Sequence, residues 1–178
     1  SAVKIDFTAD GYRVSPVIIS QAKKAALNKK LMLFFTGFSR FSADVQKETK
    51  QNLKSKIKQL LEMKQLVDAA ENVLVEEKTN LDEFGRLLDY TWKLKRQVGS
   101  RISTEAIDCL YEKAVRAGAL GGKLLGAGGG GFLLFYVPDE KQFKVREALQ
   151  DLLYVPFEFE DAGTEIIYYA PENYTPEK

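Results

Sequence analysis

The segment Gly121-Gly122-Lys123-Leu124-Leu125-Gly126-Ala127-Gly128-Gly129-Gly130-Gly131 holds seven of the chain's 13 glycines. It leaves the apolar pair Leu124-Leu125 and enters Phe132-Leu133-Leu134-Phe135-Tyr136-Val137, closed by Pro138. A short aromatic-rich apolar run that ends at proline reads as a strand, so the pattern is strand, glycine loop, strand. Ordering so many glycines costs conformational entropy, and such a run serves positive φ angles or very close backbone approach. Successive glycine amides can also form an anion-binding concavity. Gly126, Gly128 and Gly131 spell G-x-G-x-x-G, but a dinucleotide fingerprint needs a helix next, where this chain has a strand. A Walker loop needs Lys and then Ser/Thr after its last glycine, where Phe132 stands. The residues alone leave two readings open: a wide hairpin without chemistry, or a backbone surface for phosphate.

Upstream, Leu31-Met32-Leu33-Phe34-Phe35 is a continuous apolar run ended by Thr36-Gly37, the pattern of a central strand covered on both faces. From about Ser42 to Glu77, Leu53, Ile57, Leu60, Val67, Ala70 and Leu74 recur at threes and fours, one stripe of a long helix. Asn80 with Glu83 resembles a capping box for a second helix with Phe84, Leu87, Leu88, Thr91, Trp92 and Val98 inward. Ser103 is placed to cap a third, with Ile107, Leu110, Tyr111, Ala114 and Val115 inward and Gly118 at its end. Trp92 among leucines at helical spacing reads as core rather than as a platform for a sugar.

Downstream, Asp139 with Gln142 starts a helix expected to reach about Leu153. Val155, Phe157 and Phe159 then alternate with Pro156, Glu158 and Glu160, and a last strand is expected near residues 165–169. The tail 171–178 reads as frayed. At the other end, Val3, Ile5 and Phe7, then Asp10-Gly11, then Tyr12 and Val14 form a hairpin signal. A lone hairpin is marginal in water, so this one is expected to belong to a larger sheet whose remainder lies upstream. The order of elements is α+β in character.

The chain has 178 residues, 45% hydrophobic and 29% charged, enough for one ordinary core. It contains no histidine, which removes the usual general base, the usual zinc ligand and every histidine-containing triad. Cys109 is its one cysteine, expected as a small buried hydrophobe, and no metal site is expected. Net charge is +1, but residues 20–64 carry 11 Lys/Arg against 3 Asp/Glu, and 139–178 carry 4 against 10. The lysines of 47–64 read as the wet face of a helix rather than as a phosphate surface. They lack interleaved aromatics, so nucleic acid is not an expected partner. No apolar run approaches membrane-spanning length and the start lacks a signal peptide's apolar middle, so a cytoplasmic protein with no membrane partner is expected.

Lys123-Leu124-Leu125-Gly126-Ala127-Gly128-Gly129-Gly130-Gly131 resembles the third conserved motif of the GHMP kinases, the group of galactokinase, homoserine kinase, mevalonate kinase and phosphomevalonate kinase. The likeness extends to Leu33-Phe34-Phe35-Thr36-Gly37-Phe38-Ser39-Arg40, to Leu81-Asp82-Glu83-Phe84-Gly85-Arg86-Leu87-Leu88 and to Ala117-Gly118-Ala119-Leu120-Gly121-Gly122-Lys123. Within the group these segments most resemble the D-glycero-D-manno-heptose phosphate kinases. The resemblance implies a GHMP kinase C-terminal domain over 29–170: a ferredoxin-like antiparallel sheet packed against a layer of helices. Residues 1–28 would be the end of an N-terminal catalytic domain's sheet and a linker.

It also implies an ATP-dependent kinase for a heptose phosphate, with Mg²⁺, whose cleft lies between two domains. The family's phosphate loop and catalytic carboxylate belong to the N-terminal half, and neither has a counterpart here. No catalytic residue is therefore expected in this chain, which should be inactive alone. Gly126, Ala127, Gly128, Gly129, Gly130 and Gly131 would lie beside the nucleotide phosphates. Arg40 would grip the sugar phosphate with its planar fork, helped by Thr36, Gly37, Ser39 and Lys123. The bland alternatives stay open: Arg40 in a surface ion pair, Thr36 capping a turn, Lys123 merely near the loop. Expected partners are the sugar phosphate, ATP and the chain's own N-terminal domain, with a homodimer left open. The competing functions are a non-catalytic module that kept the fold, and a kinase for another sugar such as fucose.

Overall fold

The computed structural model describes residues 2–38, 56–99, 102–126 and 130–160. The expected strand at 165–169, the tail, and the first part of the long helix lie outside them. The opening hairpin forms as its alternation predicts: β1 (Val3–Thr8) pairs antiparallel with β2 (Gly11–Pro16), Val3 opposite Pro16 and Thr8 opposite Gly11. It stands as a separate two-stranded sheet.

A helix then appears where only a linker is expected, α1 (Gln21–Lys30). Ser20 caps it, its Oγ accepting from Lys23 N at 3.2 Å. Its alanines and lysines are good helix formers, and Lys29 and Lys30 suit its C-terminal dipole. What hid it is a thin apolar face, of which only Leu27 and Ala26 join a core cluster.

The main sheet runs β4-β5-β3-β6, formed by β3 (Leu31–Phe35), β4 (Gly121–Leu125), β5 (Phe132–Tyr136) and β6 (Leu153–Val155). Every pairing is antiparallel, and β3 is interior with Leu33 opposite both Leu134 and Val155. Among the described residues, three α-helices lie between β3 and β4 and one between β5 and β6, the ferredoxin-like order expected. They are α2 (Ile57–Val75), α3 (Asp82–Val98), α4 (Glu105–Ala117) and α5 (Gln142–Ala148). One sheet face carries Met32, Phe34, Leu124, Leu133 and Phe135 against Ile107, Ala114, Val145 and Leu149. The other carries Leu31 and Tyr136 against Leu27, Val73 and Leu81. Among the described residues no helix is long and apolar enough to cross a membrane.

Several local expectations are corrected. The third helix is capped by Thr104, whose Oγ1 accepts from Ile107 N at 3.2 Å, while Ser103 Oγ donates to Asp108 Oδ1 at 2.7 Å. Asn80 Oδ1 accepts from Asp82 N at 3.0 Å, but Glu83 turns to Arg86, so the capping box is half made. Gln142 Nε2 donates to Lys29 O at 2.6 Å rather than back to its own helix start. That helix ends at Ala148, and β6 stops at Val155, before Pro156, which has no N–H to continue a ladder. Cys109 is exposed: it falls on the side of α4 away from the inward stripe Ile107, Tyr111 and Ala114, while Val115, at the margin of that stripe, is 40% exposed. On α2 the buried side passes through Leu60, Met63 and Val73, leaving Ile57 and Val67 half-exposed. Trp92 is core, as expected.

Candidate functional site

The end of β3 and the loop joining β4 to β5 meet at one rim of the sheet. Thr36 N–H donates to Gly131 O at 2.9 Å, and Thr36 Oγ1 donates to the same oxygen at 2.9 Å. Thr36 Oγ1 also accepts from Phe38 N at 3.3 Å, and Gly131 N–H donates to Phe38 O at 3.0 Å. Thr36 is only 6% exposed, so its hydroxyl holds the turn. A Cβ built on Gly130 would lie 2.3 Å from Phe38 O, closer than any side chain tolerates. Gly126 (φ 108°) and Gly131 (φ 109°) occupy backbone that only glycine adopts freely. At these described positions the glycines are needed by the chain's own turn, which is stitched to them without intervening side chains.

Gly126 is exposed, and Gly37 (φ 71°) has open space around it. Ser39, Arg40, Ala127, Gly128 and Gly129 lie outside the described residues. Thr36, Gly37, Gly126, Gly130 and Gly131 are thus gathered at the rim, and Lys123 sits on β4 three positions before Gly126. Alternation points Gly121, Lys123 and Leu125 to one face. On that face, one row across four strands is Leu125, Phe132, Phe35 and Leu153. The Phe35 and Phe132 rings lie 5.1 Å apart and are partly exposed, as is Leu153.

Behind the row, α3 runs close along β4: a Cβ on Gly121 would collide with Gly85 O and Asp89 N, at 2.0 and 2.6 Å. Tyr111 locks this contact, its hydroxyl donating to Asp89 Oδ1 at 2.9 Å and accepting from Gly122 N at 3.1 Å. Burial, then the Asp89 charge and hydrogen bond, push the Tyr111 hydroxyl well above its ordinary range. Tyr136 is raised likewise, by burial and then by its 2.9 Å bond to Asp82. Lys95 of α3 is held below the usual lysine range by burial and by the Lys123 charge beside it.

The rim offers glycine backbone and apolar surface but little reactive chemistry, and the amides of Thr36, Phe38 and Gly131 are engaged within the turn. Among the described residues there is no cluster of His, Cys, Asp or Glu that could hold a metal ion. Two features went unforeseen. Phe38 contributes its carbonyl, which no side-chain pattern announces. Lys95 does leave a trace, since it takes the next place of the stripe Leu88-Thr91, where an apolar residue would be expected.

Residues 64–155 match the family described as GHMP kinases C terminal. The chain is 29% identical over 140 residues to the D-glycero-alpha-D-manno-heptose 7-phosphate kinase of Campylobacter jejuni, covering 77% of this chain and 40% of that one. It is 31% identical over 147 residues to the bifunctional fucokinase/GDP-fucose pyrophosphorylase of Arabidopsis thaliana, covering 78% of this chain and 13% of that one. The L. major mevalonate kinase, solved with R-mevalonate, superposes with a TM-score of 0.65 at 18% identity, over 84% of this chain and 44% of its own. The chain spans under half the length of each. A match over more than half the chain, with the ferredoxin-like topology beneath it, places the chain in the GHMP kinase family as a C-terminal domain.

Proposed function

We propose that this chain is the substrate-side domain of an ATP-dependent sugar kinase that transfers the γ-phosphate to the anomeric hydroxyl of D-glycero-D-manno-heptose 7-phosphate. The observation that carries the reading is the joined rim, where Gly131 holds Thr36 and Gly130 abuts Phe38, in a chain 29% identical to a heptose 7-phosphate kinase. Phosphoryl transfer needs positioning and neutralisation of charge more than covalent help. A rim of glycine backbone, where no side chain keeps a phosphate at a distance, suits one wall of such a cleft. Mg²⁺ would travel with the nucleotide and offset the phosphate charge, and this chain's described residues supply no carboxylate cage for it.

The opposite wall would come from a companion N-terminal half, and the hairpin fits as its docking surface. The Lys4 side of β1 turns toward the body of the chain, with Nζ 2.6 Å from Asp68 and 2.9 Å from Glu71 on α2. Val3, Ile5, Phe7, Tyr12 and Val14 are left to solvent. An apolar sheet face turned outward while the polar face turns inward suits a further sheet or layer laid over it.

The test is an ATP-dependent assay with heptose 7-phosphate, on this chain alone and with the N-terminal half added. Turnover only in the mixture is expected, and none with a correctly folded half would favour a non-catalytic module. In the complete enzyme, Arg40→Ala should raise KM for the sugar phosphate by about tenfold or more with a smaller change in kcat, and an unchanged KM removes Arg40 from the site. A second reading, another sugar such as fucose, is favoured by the 31% identity to the fucokinase, and the same assay with fucose decides it.

A further inference from the structure

Lys95 and Lys123 stand where the fold calls for apolar side chains. Lys123 shares a face of β4 with Gly121 and Leu125, and α3 lies along that strand so closely that Gly121 has no room for a side chain. Lys95 continues the inward register of Leu88 and Thr91 on the same helix. Both lysines are half-buried, and among the described residues no carboxylate or carbonyl meets either ammonium. The neighbouring cations of α3 are placed otherwise: Lys93 reaches Asp89 at 2.6 Å and Arg96 reaches Asp108 at 2.6 Å. Burial and the Lys123 charge together disfavour the charged form of Lys95. Two like charges drawn together out of water are costly unless an anion joins them.

We propose that Lys95 and Lys123 form a two-cation site for a phosphate group, set behind the glycine loop on the side of the sheet that carries Leu125, Phe132 and Phe35. The loop starts at Gly126, three residues beyond Lys123, so a phosphate held there lies next to the rim. A dianion between the two ammoniums relieves their repulsion and restores the hydrogen bonds that burial removed. The partly exposed Phe35–Phe132 pair beside them suits the apolar flank of a sugar or nucleoside carrying that phosphate. The idea rests on reading this rim as a phosphate-handling surface, and it adds Lys95, which no motif singles out.

The test uses this chain and inorganic phosphate, with no turnover involved, so a failed kinase assay and a failed phosphate site are separate results. Phosphate should shift the Cε proton and carbon signals of Lys95 and Lys123 and raise the melting temperature. Lys95→Met keeps the apolar stem and removes the charge, and it should weaken phosphate binding about tenfold or more, as should Lys123→Met. Lys93→Met should bind as the wild type does. ATP without metal and heptose 7-phosphate, titrated separately, identify whose phosphate the pair takes by which one loses affinity in Lys95→Met. If phosphate leaves both lysine signals unmoved, or Lys95→Met binds all three ligands with wild-type affinity, the site does not exist. Should Lys95→Met fail to fold, the wild-type signals and Lys123→Met decide the same question.

Discussion

Gly130 shows most directly why this loop is made of glycine. The neighbour that forbids a Cβ there is the backbone of Phe38, which cannot swing aside as a side chain could. Gly130→Ala must therefore push the Thr36–Phe38 turn away from the loop and loosen the Thr36 and Phe38 bonds to Gly131. We expect it to cost about 1–3 kcal/mol of unfolding free energy in a denaturant titration. In the completed kinase it should lower kcat/KM by more than the loss of folded protein accounts for. Wild-type stability together with wild-type turnover would mean that the junction is not needed in that form. The need for glycine near this place was readable from composition. That Phe38 is the partner was not, because residues 38 and 130 are brought together only by strand pairing.

The elements α3, α4 and β4 meet at Tyr111. Its hydroxyl is shared between a carboxylate on one helix and an edge-strand amide of the sheet, so Tyr111→Phe leaves Gly122 N–H and Asp89 short of a partner. A loss of about 1–2 kcal/mol at neutral pH is expected from denaturant unfolding. The pH dependence has a definite sign. Tyr111 and Tyr136 both titrate higher in the folded chain than the ordinary 10.0 of the unfolded one. Above that pH the unfolded chain sheds protons first, so their contribution is whole below pH 10 and is lost as pH rises beyond it. Lys95 acts the opposite way, since its folded value is lowered: the penalty of its charge fades as pH climbs from that value toward 10.5. Melting curves between pH 8 and 12 should show a net fall above pH 10 that is smaller in Tyr111→Phe; a fall of equal size would mean that Tyr111 does not carry it. At this scale the α3 and α4 stripes were legible from spacing, while α1 was not, because a helix whose buried residues are Leu27 and a lysine, Lys23, leaves almost no apolar periodicity.

For the whole molecule, the hairpin is the part whose surface is unlike that of a finished domain. Phe7 is 80% exposed, and its neighbours on that face are similarly open. Phe7→Asp should leave the melting temperature of this chain within about 2 °C, since the one ring contact it removes, with Tyr12 across the hairpin, is itself on the surface. It should weaken association with the N-terminal half about tenfold or more, read by titration calorimetry. Association unchanged by the substitution would put the docking surface elsewhere.

Alternating and threefold-fourfold spacing, together with punctuation by Gly and Pro, were enough to locate the hairpin, the interior strand, four of the helices and the glycine loop, because these are local consequences of side-chain direction and backbone freedom. The family resemblance rested on contiguous motifs and was likewise available from the chain alone. Local rules were blind to which side of each helix is buried at its margins, as Val67, Cys109 and Val115 show, because burial is set by what packs opposite. They were equally blind to the Phe38–Gly130 contact, the Tyr111 bridge and the meeting of Lys95 with Lys123. Those arise from antiparallel pairing and helix docking between residues 92, 11 and 28 positions apart in the chain. Only the folded arrangement supplies that proximity, and through it the close backbone contact, the shared hydroxyl and the like-charge crowding on which the site depends.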